Sequence, residues 1–376
     1  MKLAIISHTA HYYSPDGTLV GWGPTITEIS HLAAHFDHIY HVAFLHSEAP
    51  PPSAIPYQAT NISFLALPPS GGKSMLGKFS VLKTAPAVLK IVRETLKKVD
   101  AFQLRTPVGM GVYLIPWLTL FSNKKGWYKY AGNWKQKKAP IGYAWQRALL
   151  KKQSRTVTIN GAWPGQPKHC LTFENPCLTE VERKNGEKII GVKQYEYPLS
   201  FCFVGRLEDE KGVQRILDAL LGIANDKRIG TVHFVGNGEK FETYRAFADR
   251  YQLPAIFHGF LNRDAVFELY RKVHFLILPS TASEGFPKVI AEAMNFGCLP
   301  IVSNISSIGQ YVNNTNGFIV APVTSMSLQQ TLQDVFETPP SILKTKATKA
   351  FQSVYSFTFE YYNNRIINEI LKPKSH

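Results

Sequence analysis

The second half of the chain alternates short apolar runs with segments in which apolar residues recur every three or four positions. The apolar runs, which we predict to be strands, are FCFVG, HFVG, AIFHG, HFLILPS, LPIVS and GFIVA. After the first run, one helical stripe within 212–224 is formed by Val213, Ile216, Leu217, Leu220 and Leu221. Repeated strand–helix alternation requires a parallel sheet with helices on both faces. The second half is therefore predicted to be a doubly wound α/β domain.

The first half opens with a similar pattern. The apolar run LAIIS precedes a glycine-bearing loop at 16–24, an amphipathic helix and the strand IYHVAFLH. Residues 50–80 are rich in proline, glycine and serine, which predicts loop around one strand. A helix at 87–99 turns Val88, Val92, Leu96 and Val99 inward and Lys90, Arg93, Lys97 and Lys98 outward. The strand AFQL follows it, so this half is predicted to be a second parallel α/β sheet.

The length of 376 residues is sufficient for two domain cores. The segment KQYEYPLS precedes the strand FCFVG and marks the predicted boundary. The predicted domains are 1–193 and 194–355, followed by a helical segment, 356–376, that can pack back on the first domain. Doubly wound sheets bind ligands at the carboxyl ends of their strands, so we expect the active site in a cleft between the two domains.

The composition is that of a globular protein, with 45% hydrophobic and 18% charged residues. There is no run of about 18 apolar residues and no secretory signal, which predicts a chain without a membrane span. The four cysteines include no C-x-x-C pair, which disfavours a disulfide framework or a zinc site and predicts reduced thiols in the cytoplasm.

Positive charge is concentrated in the first half of the chain. Residues 1–200 contain 24 Lys and Arg against 11 Asp and Glu, and no acidic residue occurs from 101 to 173. The aromatic residues interleaved with lysines in this run are Trp117, Trp127, Tyr128, Tyr130, Trp134 and Trp145. Such a surface suits an anionic membrane, nucleic acid or an anionic substrate, and an ordinary solvated basic surface is the alternative. We expect the first domain to dock reversibly on the inner face of the membrane.

The loop 205–212 joins a predicted strand to a predicted helix. Backbone N–H groups at a helix N-terminus favour anions, and Arg206 and Lys211 add two positive charges on the same loop. This combination suits a diphosphate. An ordinary solvent-facing loop is the alternative interpretation.

Two glutamates follow the strand HFLILPS. Pro287 suits a first helical turn and Gly297 a helix end, so the helix is predicted at about 287–296. Glu284 then lies in the loop at the carboxyl end of the strand. Glu292 lies in an apolar, alanine-rich helix, where an unpaired carboxylate is costly. Carboxylates accept hydrogen bonds from paired sugar hydroxyls, but a helix-terminal charge and a partly exposed helical residue are the structural alternatives.

These motifs resemble those of the group 1 (family 4) glycosyltransferases, which have the two-domain GT-B architecture. The resemblance covers most of 201–321 and is carried by FVGRLEDEKGV, HFVGNGE, FHGFL and LPSTASEGFPKVIAEAMNFGCLPIVSNISSIGQYVNNTNGFIV. It implies an α/β fold of two Rossmann-like domains facing across a cleft. It also implies that Arg206 and Lys211 grip the donor diphosphate, that Glu284 contacts sugar hydroxyls and that Glu292 contacts the ribose.

The resemblance assigns further donor-binding positions. The backbone at Gly285, Phe286 and Pro287 is expected to line the sugar and phosphate pocket. The segment of His258, Gly259 and Phe260 is expected to contact the base.

The first domain resembles the family less. The loop Gly21-Trp22-Gly23 fits the glycine-rich loop that approaches the phosphates in the family. Many members have a histidine near the end of the fourth strand, and Arg105 stands there in this chain.

The implied reaction is transfer from a nucleotide sugar to a saccharide or lipid-linked acceptor with retention of configuration, in polysaccharide or glycoconjugate synthesis. No metal or other cofactor is expected, and the sequence contains no Asp-x-Asp motif. The predicted catalytic residues are Glu284, Arg206 and Lys211, which would stabilise charge on the leaving diphosphate.

Three alternatives differ in class. A related sugar-nucleotide epimerase would turn over the donor without an acceptor. A dinucleotide-dependent oxidoreductase is disfavoured because no G-x-G-x-x-G follows the first strand. A nucleic-acid-binding protein would explain the basic half, but no known binding module is present, so we expect no nucleic-acid partner.

Overall fold

The computed structural model describes residues 1–72 and 74–372, with the side chains of Met75 and Leu76 outside the description. The chain divides into two compact units. The first comprises Met1–Asn175 and the segment that begins at Phe359, and the second is Pro176–Thr358.

The first unit is built on a mostly parallel sheet. Its strands are β1 (Lys2–Tyr13), β2 (Leu19–Trp22), β3 (His38–Leu45), β4 (Ala54–Pro56), β5 (Ile62–Leu67), β6 (Ala101–Thr106), β7 (Lys125–Tyr130), β8 (Val157–Ile159) and β9 (Cys170–Thr172). Its helices up to Asn175 are α1 (Gly23–Ala33), α2 (Met75–Leu96), α3 (Gly111–Phe121) and α4 (Ile141–Lys152). The parallel strands lie in the order β5-β3-β1-β6-β7-β8-β9. β2 pairs antiparallel with the end of β1, and β4 pairs antiparallel with β2.

The second unit contains a six-stranded parallel sheet. Its elements are α5 (Glu180–Val192), β10 (Leu199–Val204), a 3₁₀ turn (Asp209–Lys211), α6 (Val213–Leu221), β11 (Ile229–Val235), α7 (Phe241–Arg250), β12 (Ala255–Gly259), α8 (Arg263–Lys272), β13 (Phe275–Leu278), α9 (Lys288–Asn295), β14 (Leu299–Ser303), α10 (Ile308–Tyr311), β15 (Phe318–Val320), α11 (Ser325–Glu337), α12 (Pro340–Ser353) and a 3₁₀ turn (Tyr355–Phe357). The chain then returns to the first unit with α13 (Phe359–Arg365) and a π-helical turn (Ile366–Leu371).

Helices cover both faces of the first sheet. Val88 of α2, Leu114 of α3 and Leu150 of α4 are buried in one hydrophobic cluster. Ile29 of α1 and Tyr362 of α13 belong to another cluster, on the opposite face. The predicted inward residues of the helix at 87–99 are buried, but this helix begins at Met75 because Ser74 caps it by accepting a hydrogen bond from the Gly77 amide at 3.0 Å.

The unit boundary lies before α5, whereas the sequence pattern placed it after 193. The reason is that α5 packs on the second unit. Arg183 of α5 donates a hydrogen bond of 2.8 Å to Asn295 of α9, and its guanidinium lies over the ring of Phe351. The polar sequence of α5 contains a capping box of Thr179 and Glu182 that begins the helix.

Two other predictions about the first unit were wrong in detail. The opening strand runs to Tyr13, because its polar residues pair inside the sheet and β2 folds back on its end. The aromatic residues of the acid-free run are mostly core, with Trp127, Tyr128, Tyr130 and Trp134 all buried. Since β7 is a central strand covered on both faces, its side chains from Trp127 to Tyr130 are buried.

Candidate functional site

The strand order of the second sheet, β12-β11-β10-β13-β14-β15, reverses between β10 and β13. In open α/β sheets such a reversal leaves a crevice at the carboxyl ends of the strands, where ligands bind. The loops that follow β10 and β13 therefore border the candidate site. They are the loops that contain Arg206, Lys211 and Glu284.

Backbone hydrogen bonds hold the first of these loops in place. The amide of Gly205 donates to the Val235 carbonyl at 3.0 Å, and the amide of Leu207 donates to the Asn237 carbonyl at 3.0 Å. Gly236 has a φ of +127°, and a Cβ there would lie 1.9 Å from the Gly205 carbonyl oxygen. The tight Gly236-Asn237-Gly238 turn is thus needed for close approach of two backbones.

The loops after β10 and β13 are also joined to each other. The Glu210 carbonyl accepts a hydrogen bond of 2.7 Å from the amide of Thr281. Gly212 has a φ of +94°, and a Cβ there would lie 2.5 Å from the Pro279 carbonyl oxygen. A side chain at this position would therefore separate the loops and strain the N-cap of α6.

Lys211 and Glu284 meet where these two loops touch. The Lys211 ammonium donates to Glu284 Oε1. The Lys211 side chain is 12% exposed and the Glu284 side chain 41% exposed, so the pair lies at the edge of solvent. Arg206 projects into solvent and pairs with Glu208 of its own loop at 3.2 Å.

Glu292 is mostly buried on α9, and its partner is one that the sequence analysis missed. Arg263, the first residue of α8, donates to Glu292 Oε1 at 3.1 Å and forms three hydrogen bonds of 3.0 to 3.1 Å with Glu182. Burial raises the pKa of Glu292, and the Arg263 guanidinium opposes that shift. The carboxylate is therefore paired, and no local sequence signal distinguished Arg263 from other helix-terminal arginines.

The segment between Glu284 and α9 consists of Gly285, Phe286 and Pro287, whose backbone was predicted to line the donor pocket. The Gly285 carbonyl accepts a hydrogen bond of 3.1 Å from Ser307 Oγ. The Phe286 ring packs in the core against Tyr311 and Phe357, with ring centroids 5.0 and 4.8 Å away. Its side chain therefore holds the loop, and Pro287 directly precedes the helix.

The predicted base-contacting segment lies at the end of β12. Phe260 is exposed, and His258 shares a hydrogen bond of 2.9 Å with His233 of β11. Because β12 lies beyond β11, this segment is two strands away from the loop after β10. The amide of Gly236 donates to the Gly259 carbonyl at 2.8 Å, which joins the end of β12 to the turn that follows β11.

The predicted positions in the first unit are more enclosed. Gly21 lies in β2 and Gly23 begins α1. Arg105 is buried and donates hydrogen bonds to Glu28 Oε1 at 2.7 Å and to Gln103 Oε1 at 2.9 Å. Lys129 donates to the same Glu28 oxygen at 2.5 Å. Arg105 is thus held in an internal ion-pair cluster.

Within residues 1–72 and 74–372, no three His, Cys, Asp or Glu side chains group so as to hold a metal ion. Over the same residues, no helix has the length and apolar character needed to cross a membrane.

Two solved structures define the class of fold. Sucrose-phosphate synthase from Thermosynechococcus elongatus superposes with a TM-score of 0.72 at 16% identity, covering 97% of each chain. HepE of Anabaena in complex with UDP superposes with a TM-score of 0.71 at 16% identity, covering 99% of this chain and 100% of that one. The chain has the GT-B fold of two Rossmann-like parallel-sheet domains, which confirms the predicted fold class.

Sequence comparison specifies the second unit further. Residues 187–351 match the family model described as glycosyl transferases group 1, which confirms the predicted resemblance. Over 120 residues the chain is 31% identical to lipopolysaccharide 1,6-galactosyltransferase of Salmonella typhimurium, covering 31% of this chain and 33% of that protein. The matches to the curated relatives span about a third to two fifths of the relatives' own length. Over residues 187–351 the second unit is thus similar in sequence to the group 1 glycosyltransferases.

Proposed function

We propose that this protein is a retaining glycosyltransferase that moves a hexosyl group from a nucleotide sugar to a saccharide or lipid-linked acceptor. The observation that carries the proposal is the meeting of Lys211 and Glu284 at the reversal of the second sheet, within the segment that matches the family. An ammonium for phosphate and a carboxylate for hydroxyls are thereby placed side by side, at the edge where Rossmann-like sheets bind nucleotides.

The relatives support the choice of substrates. The Anabaena structure contains UDP, and the relative in Salmonella is named as a lipopolysaccharide galactosyltransferase. A uridine nucleotide sugar and a cell-surface saccharide are therefore the first donor and acceptor to test. The four cysteines are free and buried, which suits a reducing compartment, and we place the reaction in the cytoplasm.

The residues would act as follows. Lys211, Arg206 and the N-terminus of α6 would stabilise the negative charge that develops on the leaving diphosphate. Glu284 would accept hydrogen bonds from the transferred sugar, and Glu292 from the ribose. The backbone of Gly285 and its neighbours would line the sugar. This chemistry needs no metal ion, so we expect a chelator to leave the rate unchanged.

The deciding experiment compares Glu284→Ala with the wild type. A panel of nucleotide sugars is screened first by thermal stabilisation, and the best donor is then assayed with saccharide acceptors. Loss of hydrogen bonds to a charged group, about 1.5–3 kcal/mol each, should slow transfer about 10- to 150-fold while the protein stays folded. Wild-type rates in the variant would reject the assignment. Donor turnover that proceeds without acceptor would instead favour an epimerase.

A further inference from the structure

A groove of about 860 Å³ runs between α2 and α3 on one side of the first unit. Leu89, Trp117 and Phe121 form apolar parts of its wall. Four cations also line it, and they are Lys90, Arg93, Lys97 and Lys124. Glu94 is the acidic residue among the lining side chains, and it is ion-paired with Lys97 at 2.7 Å. The groove therefore combines an apolar wall with an excess of positive charge.

The end of α3 beside the groove exposes apolar side chains. Leu120 and Phe121 are adjacent in sequence and are each 72% exposed. Soluble proteins tolerate single exposed apolar residues, but a contiguous exposed group indicates an interaction surface. On α2, Phe79 and Leu82 are also largely exposed. Both helices that border the groove thus present apolar side chains to solvent.

A third helix on the same face of the sheet, α4, also exposes apolar side chains on its outer side. α4 packs its inner side through Leu150 into the cluster that also buries residues of α2 and α3. Its outer side exposes Ile141, at 90%, and Trp145. The exposed Lys151 and Lys152 lie in its last turn. This layer lies within the part of the chain in which acidic residues are scarce.

We propose that the outer face of α2, α3 and α4 docks on the negatively charged surface of a phospholipid membrane, with the α2–α3 groove receiving lipid phosphate at its rim and acyl chain at its wall. Charge complementarity selects this occupant, because lipid phosphates match the cations and hydrocarbon matches Leu120 and Phe121. Tryptophan suits the interfacial depth that Trp117 and Trp145 would occupy. The proposal does not depend on the glycosyltransferase activity.

Vesicle co-sedimentation of the full chain tests the charge contribution. Vesicles of equal parts phosphatidylglycerol and phosphatidylcholine are compared with pure phosphatidylcholine, at low and high salt. We expect binding to the anionic vesicles alone, weakened by salt. Replacing Lys90, Arg93 and Lys124 together by Gln should weaken binding about 100-fold, since each cation near an anionic surface contributes about fivefold. Binding to both vesicle types alike, or to neither, would overturn the proposal.

A matched variant controls for net charge. Lys227, Lys272 and Lys349 are exposed lysines of the second unit, and replacing all three by Gln removes the same charge elsewhere. This variant should bind vesicles within about twofold of the wild type, since these lysines belong neither to the groove nor to the helices α2, α3 and α4. Equal losses of vesicle binding in the two triple variants would show that only the total charge matters and would refute the proposed role of the groove.

The apolar contribution has its own variant. Leu120→Ser with Phe121→Ser alters exposed side chains, so the fold should persist, and vesicle binding should fall while its salt dependence remains. Met326→Ser with Val181→Ser is the matched control, because both residues are exposed apolar residues of the second unit. Sedimentation velocity without lipid checks the rival occupant. A dimer that the Leu120 and Phe121 changes abolish, with vesicle binding intact, would identify a second copy and overturn the membrane proposal.

Discussion

Glu284→Gln should strengthen the binding of UDP while it slows sugar transfer. The Lys211 ammonium donates a hydrogen bond to the Glu284 carboxylate. A diphosphate that uses Lys211 must first draw it away from this carboxylate. Glutamine keeps the size and the hydrogen-bonding ability of the side chain but removes the competing charge. The two effects of one substitution therefore have opposite signs.

The magnitude follows from the exposure of the pair. Glu284 is 41% exposed and Lys211 12% exposed, so water screens the interaction and it resembles a surface ion pair. Such pairs contribute about 0.5–1 kcal/mol, which corresponds to about two- to fivefold tighter UDP binding when the carboxylate is neutralised. Transfer should slow about tenfold or more, because a charge-assisted hydrogen bond to the sugar is lost in the transition state.

Isothermal calorimetry with UDP and with uridine measures the binding effect. Lys211→Met and the double variant complete a cycle in which the gain from Glu284→Gln should disappear once Lys211 is absent. Glu210→Gln is the matched control, because Glu210 is an exposed carboxylate of the same loop that does not contact Lys211. If Glu284→Gln weakens UDP binding as much as Lys211→Met does, then Glu284 supports the loop and the idea of competition is wrong.

Three other outcomes can be checked with purified protein. Arg206→Ala and Lys211→Ala should each weaken UDP binding far more than uridine binding in calorimetry, because their charges serve the diphosphate, and equal losses would contradict this. Arg263→Met should lower the free energy of unfolding by about 2 kcal/mol in urea titrations. The loss is smaller than for a fully buried pair because Arg263 is partly exposed. An unchanged urea midpoint would show that its two glutamates do not need the arginine for stability. Burial lowers the pKa of His11 to about 4, so the unfolded chain binds a proton at higher pH than the folded one, and this residue alone should lower stability by about 2 kcal/mol as the pH drops from 7 to 5. Because burial also lowers the pKa of His274 to about 4, His11→Phe should reduce the pH dependence of stability without abolishing it, and an identical slope in both proteins would assign it to other groups.

The second unit could be predicted well because its strands are covered on both faces. β13 and β14 then appear in the sequence as continuous apolar runs, and the polar loops between elements are easy to see. The meeting of Lys211 with Glu284 follows from this topology, since both residues are in loops at the carboxyl ends of neighbouring strands. Sequence reasoning located both residues but could not state that they form an ion pair.

Contacts between distant helices were beyond such reasoning. Glu292 on α9 is held by Arg263 on α8, which also binds Glu182 on α5. Each of these residues has an ordinary local explanation as a helical or capping residue, so nothing in the sequence marks the three as one cluster. The same holds for the aromatic run of the first unit, because composition cannot distinguish a basic surface strand from a buried central one such as β7.

The Arg105–Glu28 and Lys211–Glu284 ion pairs differ in how readily a ligand could bind their cations. Releasing Arg105 would remove one of the two cations, the other being Lys129, from the almost fully buried Glu28 carboxylate, and weakening a buried cluster costs more than releasing an exposed cation. That cost would weaken the binding of a ligand that recruits Arg105, whereas Lys211 can be released for about 1 kcal/mol. Arg105 is therefore better suited to fixing β6 against α1 than to gripping a substrate. His8 lies on β1 just beyond the last pairing with β6, and burial beside the positive charge of Arg105 lowers its pKa, so a neutral imidazole there has no ion pair to break. If the first unit supplies a side chain to the sugar, these energies favour His8 over Arg105, the residue that we predicted there from the sequence resemblance.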